Sequence, residues 1–276
     1  MTLDRQTLTG LAQAERERLG RMIQFAEPAT WEMPSACPGW WNRDVMAHLV
    51  AQDTAGAQLM KGDAATELDE YRAELGDEPF TVDGFNAFAV NRRSGMPTRE
   101  VLTLWGQAAD AFLAYAARLS EEDWERRRFP WLSGDIAARF LVQSRIMEWW
   151  VHGEDMRAGN GLGPMPQHWP VYLTADLGIR MLPWTLAQAG LSFPGRSVQV
   201  DLEGTGYGSW HWGLSPNETP PHDKKPDATI QGRALQFALV AARRIPAEEV
   251  LDGGNLVVGG DAGLGETILR HIRCFA

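Results

Sequence analysis

Cys37-Pro38-Gly39-Trp40-Trp41-Asn42-Arg43-Asp44-Val45-Met46-Ala47-His48-Leu49 is a Pro-Gly loop that turns into a helix, and the fold can be worked out from it in both directions. From about Asn42 to Leu59, the residues Val45, His48, Leu49, Gln52, Ala55 and Leu59 recur at the three- and four-residue spacing of one helical face. Upstream, residues 5–27 place Leu8, Leu11, Leu19, Met22, Ile23 and Ala26 on a similar stripe. Downstream, Thr98 reads as the N-cap of a third long helix ending near Leu119, with Val101, Leu104, Trp105, Ala108, Phe112, Tyr115 and Leu119 along one side. Ser133-Gly134-Asp135 reads as the start of a fourth, running to about Ala158 with Phe140, Leu141, Ser144, Glu148, Val151, His152 and Asp155 in line. Gly159 to Gly163 would end it. Four long amphipathic helices describe a four-helix bundle. The 61–97 connection is longer than a simple loop and is expected to hold a short helix near 83–93.

After Pro164-Met165-Pro166 the texture changes. Residues 169–189 read as an apolar helix, 197–202 and 207–213 as alternating strands, and 227–230 and 256–258 as two further short strands. Arg233 to Arg244 and Leu264 to Phe275 read as helices. The expectation is therefore a helical domain over residues 1–163 and a smaller α+β domain over 164–276.

Composition narrows the function. The 276 residues are 44% hydrophobic and 22% charged, the balance of an ordinary globular protein. No apolar run approaches the ~20 residues that span a bilayer. Met1 to Arg5 do not lead into a signal-like segment. Two cysteines, Cys37 and Cys274, make no disulfide framework, and a reducing cytoplasmic location is expected. A net charge of −10 excludes a general nucleic-acid binder, and the acidic cluster at 63–78 reads as solvated surface. Lysine occurs only at 61, 224 and 225 against 23 arginines, a bias that points to a GC-rich genome such as an actinobacterium's.

Glu148 and His152 sit one helical turn apart, and His48 lies on the apolar stripe of another helix. Ionisable groups on core-facing stripes are costly unless paired or bound to a metal. Two imidazoles and a carboxylate are the ligand set of catalytic zinc, with a fourth position open, and the set also serves other divalent ions. On spacing alone, hydrogen-bonded core histidines explain the same pattern.

The stretch from Cys37 to Leu49 resembles the "CPGW…RD…HL" signature of the mycothiol-dependent maleylpyruvate isomerase family, within the DinB-like superfamily. Glu148-Trp149-Trp150-Val151-His152-Gly153-Glu154-Asp155-Met156-Arg157 is similar to that family's second signature, around "E..VHG.D". The resemblance implies a DinB-like metal-binding bundle, with His48, Glu148 and His152 as the metal ligands. It also implies mycothiol as thiol co-substrate, and S-transferase or isomerase activity on a small electrophile. Two positions depart from the pattern. Trp41 stands where a small hydroxyl residue is usual, leaving Asn42 to cap the helix, and Glu154 stands where an aromatic residue is common. They bear on which substrate is used more than on the metal.

Around that centre, Arg92 and Arg93, with Asn91, are the expected grip on an anionic substrate, because arginine forks onto carboxylates. The polar end of a surface helix explains them equally well. Asp44 is either a partner that orients His48 or a first-turn acid favoured by the helix dipole. Asp155 and Arg157 are expected to pair with each other. Of Trp149 and Trp150, one is expected to face the core and one outward. Cys37 reads as a packed small residue and His211 as solvated, while His168, His222 and His271 belong to no constellation. A non-catalytic metal- or ligand-binding bundle is the first alternative. A metal hydrolase is the second, for which Glu154 is the only nearby base. A monomer or homodimer, acting on small molecules away from membranes and nucleic acid, completes the expectation.

Overall fold

The structure is a computed structural model that describes residues 3–132, 134–216, 219–220 and 223–274. It is a helical protein with small sheets, and it divides into two compact units, Met1–Met165 and Pro166–Ala276.

In the first unit the four long helices are α1 (Arg5–Phe25), α2 (Asn42–Lys61), α5 (Thr98–Arg118) and α7 (Ala138–Gly159). α1 packs on α5 and α7, and α2 packs on the same two, so the four close a ring around one core. Phe112, Trp105, Leu19, Met46, Leu49 and Ile146 fill it. Asp4 caps α1 by accepting the Thr7 N–H at 2.7 Å, and Gly62 ends α2 in the left-handed region at φ +104°. α7 is buried nearly all round: Trp149 and Trp150 are both fully buried, so neither faces outward as the sequence suggested.

The connections differ from expectation in four places. Residues 61–97 hold two helices, α3 (Thr66–Leu75) and α4 (Val82–Arg92). The acidic segment is therefore partly helical, with Leu68 and Tyr71 turned into the core. Pro97, not Thr98, precedes α5, its carbonyl accepting from Glu100 and Val101. A further helix, α6 (Glu121–Arg126), follows α5, and then β1 (Arg128–Trp131) pairs antiparallel with β2 (Gly134–Ala137). Because that hairpin takes Gly134 and Asp135, α7 starts later than the sequence suggested, while Ser133 lies outside the described residues. Finally, Asn42 does not cap α2; its side-chain amide donates to the Thr30 carbonyl at 2.8 Å.

In the second unit, a four-stranded sheet has the order β4 (Gly208–Gly213), β3 (Ser197–Glu203), β5 (Ala228–Arg233), β6 (Leu256–Gly260). β3 runs antiparallel to β4 and parallel to β5, and β5 runs antiparallel to β6. Val198, Val200 and Ile230 turn one face into the core. There α9 (Ala234–Ala241) and α11 (Ala262–His271) pack on the strands, and α8 (His168–Gln188) packs on α9. A short helix, α10 (Ala247–Asp252), joins α9 to β6. No helix among the described residues is long and apolar enough to cross a membrane.

Candidate metal centre

The loop before α2 is built to dock on α7. Cys37 to Trp40 form a turn with Gly39 at φ +80°, closed by the Trp40 N–H on the Cys37 carbonyl at 3.1 Å. Pro and Gly at its two central positions suit that geometry. The Ser35 hydroxyl accepts the Cys37 N–H and donates to the Trp40 carbonyl. The turn reaches α7 through the Ala36 N–H, which donates to the Asp155 carbonyl at 3.0 Å. One turn further along, a Cβ on Gly159 would sit 2.2 Å from the Pro34 carbonyl oxygen, so only glycine allows the loop this close.

This docking gathers three side chains. His48 from α2 and His152 from α7 place their Nε2 atoms 3.1 and 3.2 Å from one oxygen, Oε2 of Glu148. The two rings meet edge-on, with centroids 4.8 Å apart, and the Trp40 ring lies 5.4 Å from His48. All three donor atoms lie within 4.8 Å of one another, and both histidines are buried. A tetrahedral zinc with its ligands at roughly 2.0–2.2 Å needs such donors about 3.3–3.5 Å apart. The two edges to Glu148 come within a few tenths of an ångström of that spacing, which suits the set to a divalent metal.

Electrostatics prepare two of the three donors, His48 and Glu148, whereas His152 must give up a proton to ligate. Burial holds the His48 imidazole below its usual range, against the pull of Glu148, and so keeps it neutral. Burial alone would raise Glu148, but hydrogen bonds with both imidazoles and the Arg145 guanidinium hold it well below the carboxylate range. His152 is buried too, yet its contacts with Asp155, Cys37 and Glu148 lift it well above the usual imidazole range. Its Nδ1 lies 2.8 Å from Asp155 Oδ2, which also accepts from the Cys37 thiol at 3.2 Å. Behind Glu148, Arg145 stands 4.0 Å from its second oxygen and 3.4 Å from Asp53, whose carboxylate also accepts the Trp149 indole N–H at 2.8 Å.

The other residues singled out in the sequence fare differently. Asp44 accepts the Trp41 N–H at 3.0 Å and so serves the start of α2; the acid that orients a histidine is Asp155. Arg93 is buried and forks onto Glu67 with two contacts of 2.6 Å, and Arg92 pairs with Glu70 at 2.5 Å. Asn91 is exposed. These pairings engage both terminal nitrogens of Arg93 and one of Arg92. Asp155 turns to His152, so Arg157 pairs instead with Glu154 at 3.7 Å. Glu154 accepts the Met165 N–H at 2.9 Å through Oε2, while its Oε1 is buried without a hydrogen-bond partner.

Arg145 and the Cys37 contact escaped the sequence reading. Arg145 is three residues before Glu148, a spacing that could have found it. His211 meets the Ser197 hydroxyl at 3.0 Å and His168 accepts from the Gly206 N–H at 3.3 Å. Among the described residues neither belongs to a metal-ligating group, and His222 lies outside them.

The family described as mycothiol maleylpyruvate isomerase N-terminal domain matches residues 12–157. Two uncharacterized proteins of Mycobacterium tuberculosis are each 24% identical over 207 residues, covering 73% of this chain and 75% of theirs. Among solved structures, the mycothiol-dependent maleylpyruvate isomerase is similar at a TM-score of 0.61 and 16% identity, covering 94% of this chain and 96% of that one. A mutant of that enzyme matches at the same TM-score and 15% identity.

Proposed function

The chain belongs to the mycothiol maleylpyruvate isomerase N-terminal domain family, and from that premise we propose that it is a divalent-metal-dependent enzyme activating a low-molecular-weight thiol. Mycothiol is the thiol, and zinc the metal that best suits two imidazoles and a carboxylate. The reaction is isomerisation of, or S-transfer to, a small electrophile in the cytoplasm. The observation that carries this reading is the convergence of His48 and His152 on one oxygen of Glu148.

A bound divalent metal lowers a thiol's pKa enough to hold it as thiolate at neutral pH, where a free thiol near pKa ~8.5 is mostly protonated. The chain's own residues prepare that role. Burial keeps His48 neutral and so able to donate a lone pair. The two imidazoles and Arg145 keep Glu148 ionised. Asp155 fixes the ring of His152, as carboxylates do for metal-binding histidines. Trp40 walls the His48 side. Among the described residues this group gathers three ligands, as in catalytic sites with an open position, whereas structural zinc is closed by four. Of the other acids near by in sequence, Asp53 accepts from Trp149 and Asp155 is turned to the Nδ1 side of His152. The substrate decides the outcome: a conjugated cis-alkene returns the thiol after addition, rotation and elimination, whereas a substrate with a leaving group keeps it as a thioether.

Metal analysis of the wild type and of His152→Ala, paired with mycothiol-consumption assays, tests the proposal. The wild type is expected to carry about one metal per chain at the three-ligand set, and the variant to lose both metal and thiol consumption. Consumption that survives metal removal would sink the mechanism. Metal binding without consumption of thiol by any electrophile would leave a binding bundle instead.

A further inference from the structure

Cys37, His152 and Asp155 form a second group of metal-ligating atoms, set on the other ring nitrogen of the same histidine. The Cys37 sulfur lies 3.2 Å from Asp155 Oδ2 and 3.8 Å from His152 Nδ1, and those last two atoms are 2.8 Å apart. Around a tetrahedral zinc with sulfur at about 2.3 Å and the lighter donors at about 2.0–2.2 Å, such edges are roughly 3.3–3.7 Å. The three observed edges straddle that value.

The backbone makes this a fixed arrangement. The turn at Gly39 aims the thiol, and the Ala36 N–H ties its strand of loop to the carbonyl of Asp155 itself. The absence of a side chain at Gly159 lets the loop lie against α7. His152 and Asp155 share a face of α7 at three-residue spacing. His152 and Asp155 are buried, and half-buried Cys37 gives the group its opening to solvent.

We propose that Cys37, His152 Nδ1 and Asp155 make a second cation site, distinct from the His48–Glu148–His152 centre and selective for borderline or soft divalent ions. The thiolate sets the selectivity, because sulfur favours zinc or cadmium over magnesium or calcium. A cation there replaces the hydrogen bonds that His152 and Cys37 make to Asp155. With both sites filled, His152 would bridge them as an imidazolate, its Nδ1 and Nε2 protons and the Cys37 thiol proton released to solvent, with Nε2 toward one site and Nδ1 toward the other. The second site shares His152 with the first but does not require it to be filled.

Cadmium, whose thiolate complexes absorb in the near ultraviolet, is the probe. The wild type is expected to take up two equivalents and develop thiolate absorption, and Cys37→Ser to take up one without it. A His48→Ala/Glu148→Gln double variant should take up one equivalent with the absorption intact, and Asp155→Asn in that background should weaken binding at least about tenfold. Should the double variant fail to fold by circular dichroism, the wild type against Cys37→Ser decides alone. No thiolate absorption in the wild type, or absorption that persists in Cys37→Ser and so belongs to Cys274, overturns the proposal. A Cys37→Ser protein that binds no metal, beside a wild type that shows the absorption, faults the three-ligand centre and leaves this second site standing.

Discussion

Two arginines of the first unit, Arg93 and Arg145, are both buried beside glutamates, and the difference between them separates architecture from chemistry. Arg93 closes on Glu67 with both terminal nitrogens at 2.6 Å and adds the Ala89 carbonyl at 2.9 Å. Both oxygens of that carboxylate are engaged, and what the clamp does is fasten α4 to α3. Arg145 touches its acids loosely, at 3.4 Å to Asp53 and 4.0 Å to Glu148, and its guanidinium lies 5.3 Å from the Trp131 ring. Glu148 is thereby kept charged while Oε2 is left to the two imidazoles. A bidentate fork uses up a carboxylate. A distant cation makes one available as a ligand.

The contrast breaks most visibly at Arg145. Arg145→Met would strand Asp53, whose carboxyl burial has already pushed up to about 6. Removing one partner of a buried ion pair costs about 3–5 kcal/mol, to be read as a lower denaturant midpoint. The pH dependence follows from the direction of the shift. An acid whose folded pKa is raised costs the protein stability as pH climbs from the unfolded value toward the folded one. For Asp53 in the wild type that window runs from 3.8 to about 6. Without Arg145 the folded value rises further, so the gap between variant and wild type should open above pH ~6 and narrow below it. An equal gap at pH 5 and pH 8 would remove Asp53 from the explanation.

Arg93→Met should cost less, about 1.5–3 kcal/mol, the range for hydrogen bonds to charged groups. Glu67 keeps 12% of its side chain exposed and so stays partly solvated. Thiol consumption by the folded variant should equal the wild type's. A folded Arg93→Met protein that has lost activity would return Arg93 to the substrate and collapse the distinction from Arg145.

The same contrast explains what the sequence could carry. α1, α2 and α5 are marked by apolar stripes at helical spacing, and so is the line that sets Glu148 and His152 on one face of α7. The pairing of His48 with that line crosses 100 residues, and only the two flanking motifs joined them. The β1–β2 hairpin stayed hidden because its strands are four residues each and one contains Pro130. α3 stayed hidden because its acids outnumber the two buried residues, Leu68 and Tyr71, that mark its inner face. The Arg93–Glu67 fork was not legible because a fork that suits a substrate carboxylate suits Glu67 equally, and sequence does not say which partner is nearer. Arg145 was missed although its spacing from Glu148 is helical, since a charged residue on a nearly all-buried helix leaves no apolar stripe to contrast with.

The smallest expected effect is at Arg92, and it is the sharpest control. Its contact with Glu70 is short, 2.5 Å, yet the two side chains remain 50% and 43% exposed. Water screens such a pair, and holding two long side chains together costs entropy, so exposed ion pairs are worth about 0–1 kcal/mol. Arg92→Ala should therefore shift the denaturant midpoint barely at all and leave the Michaelis constant for an anionic substrate unchanged. A several-fold rise in that constant, with stability untouched, would mean that Arg92 leaves Glu70 to meet the substrate. Distance alone would then be a poor guide to which arginines here are spent, since burial as well as fork geometry holds Arg93 to Glu67 and only the short contact holds Arg92 to Glu70.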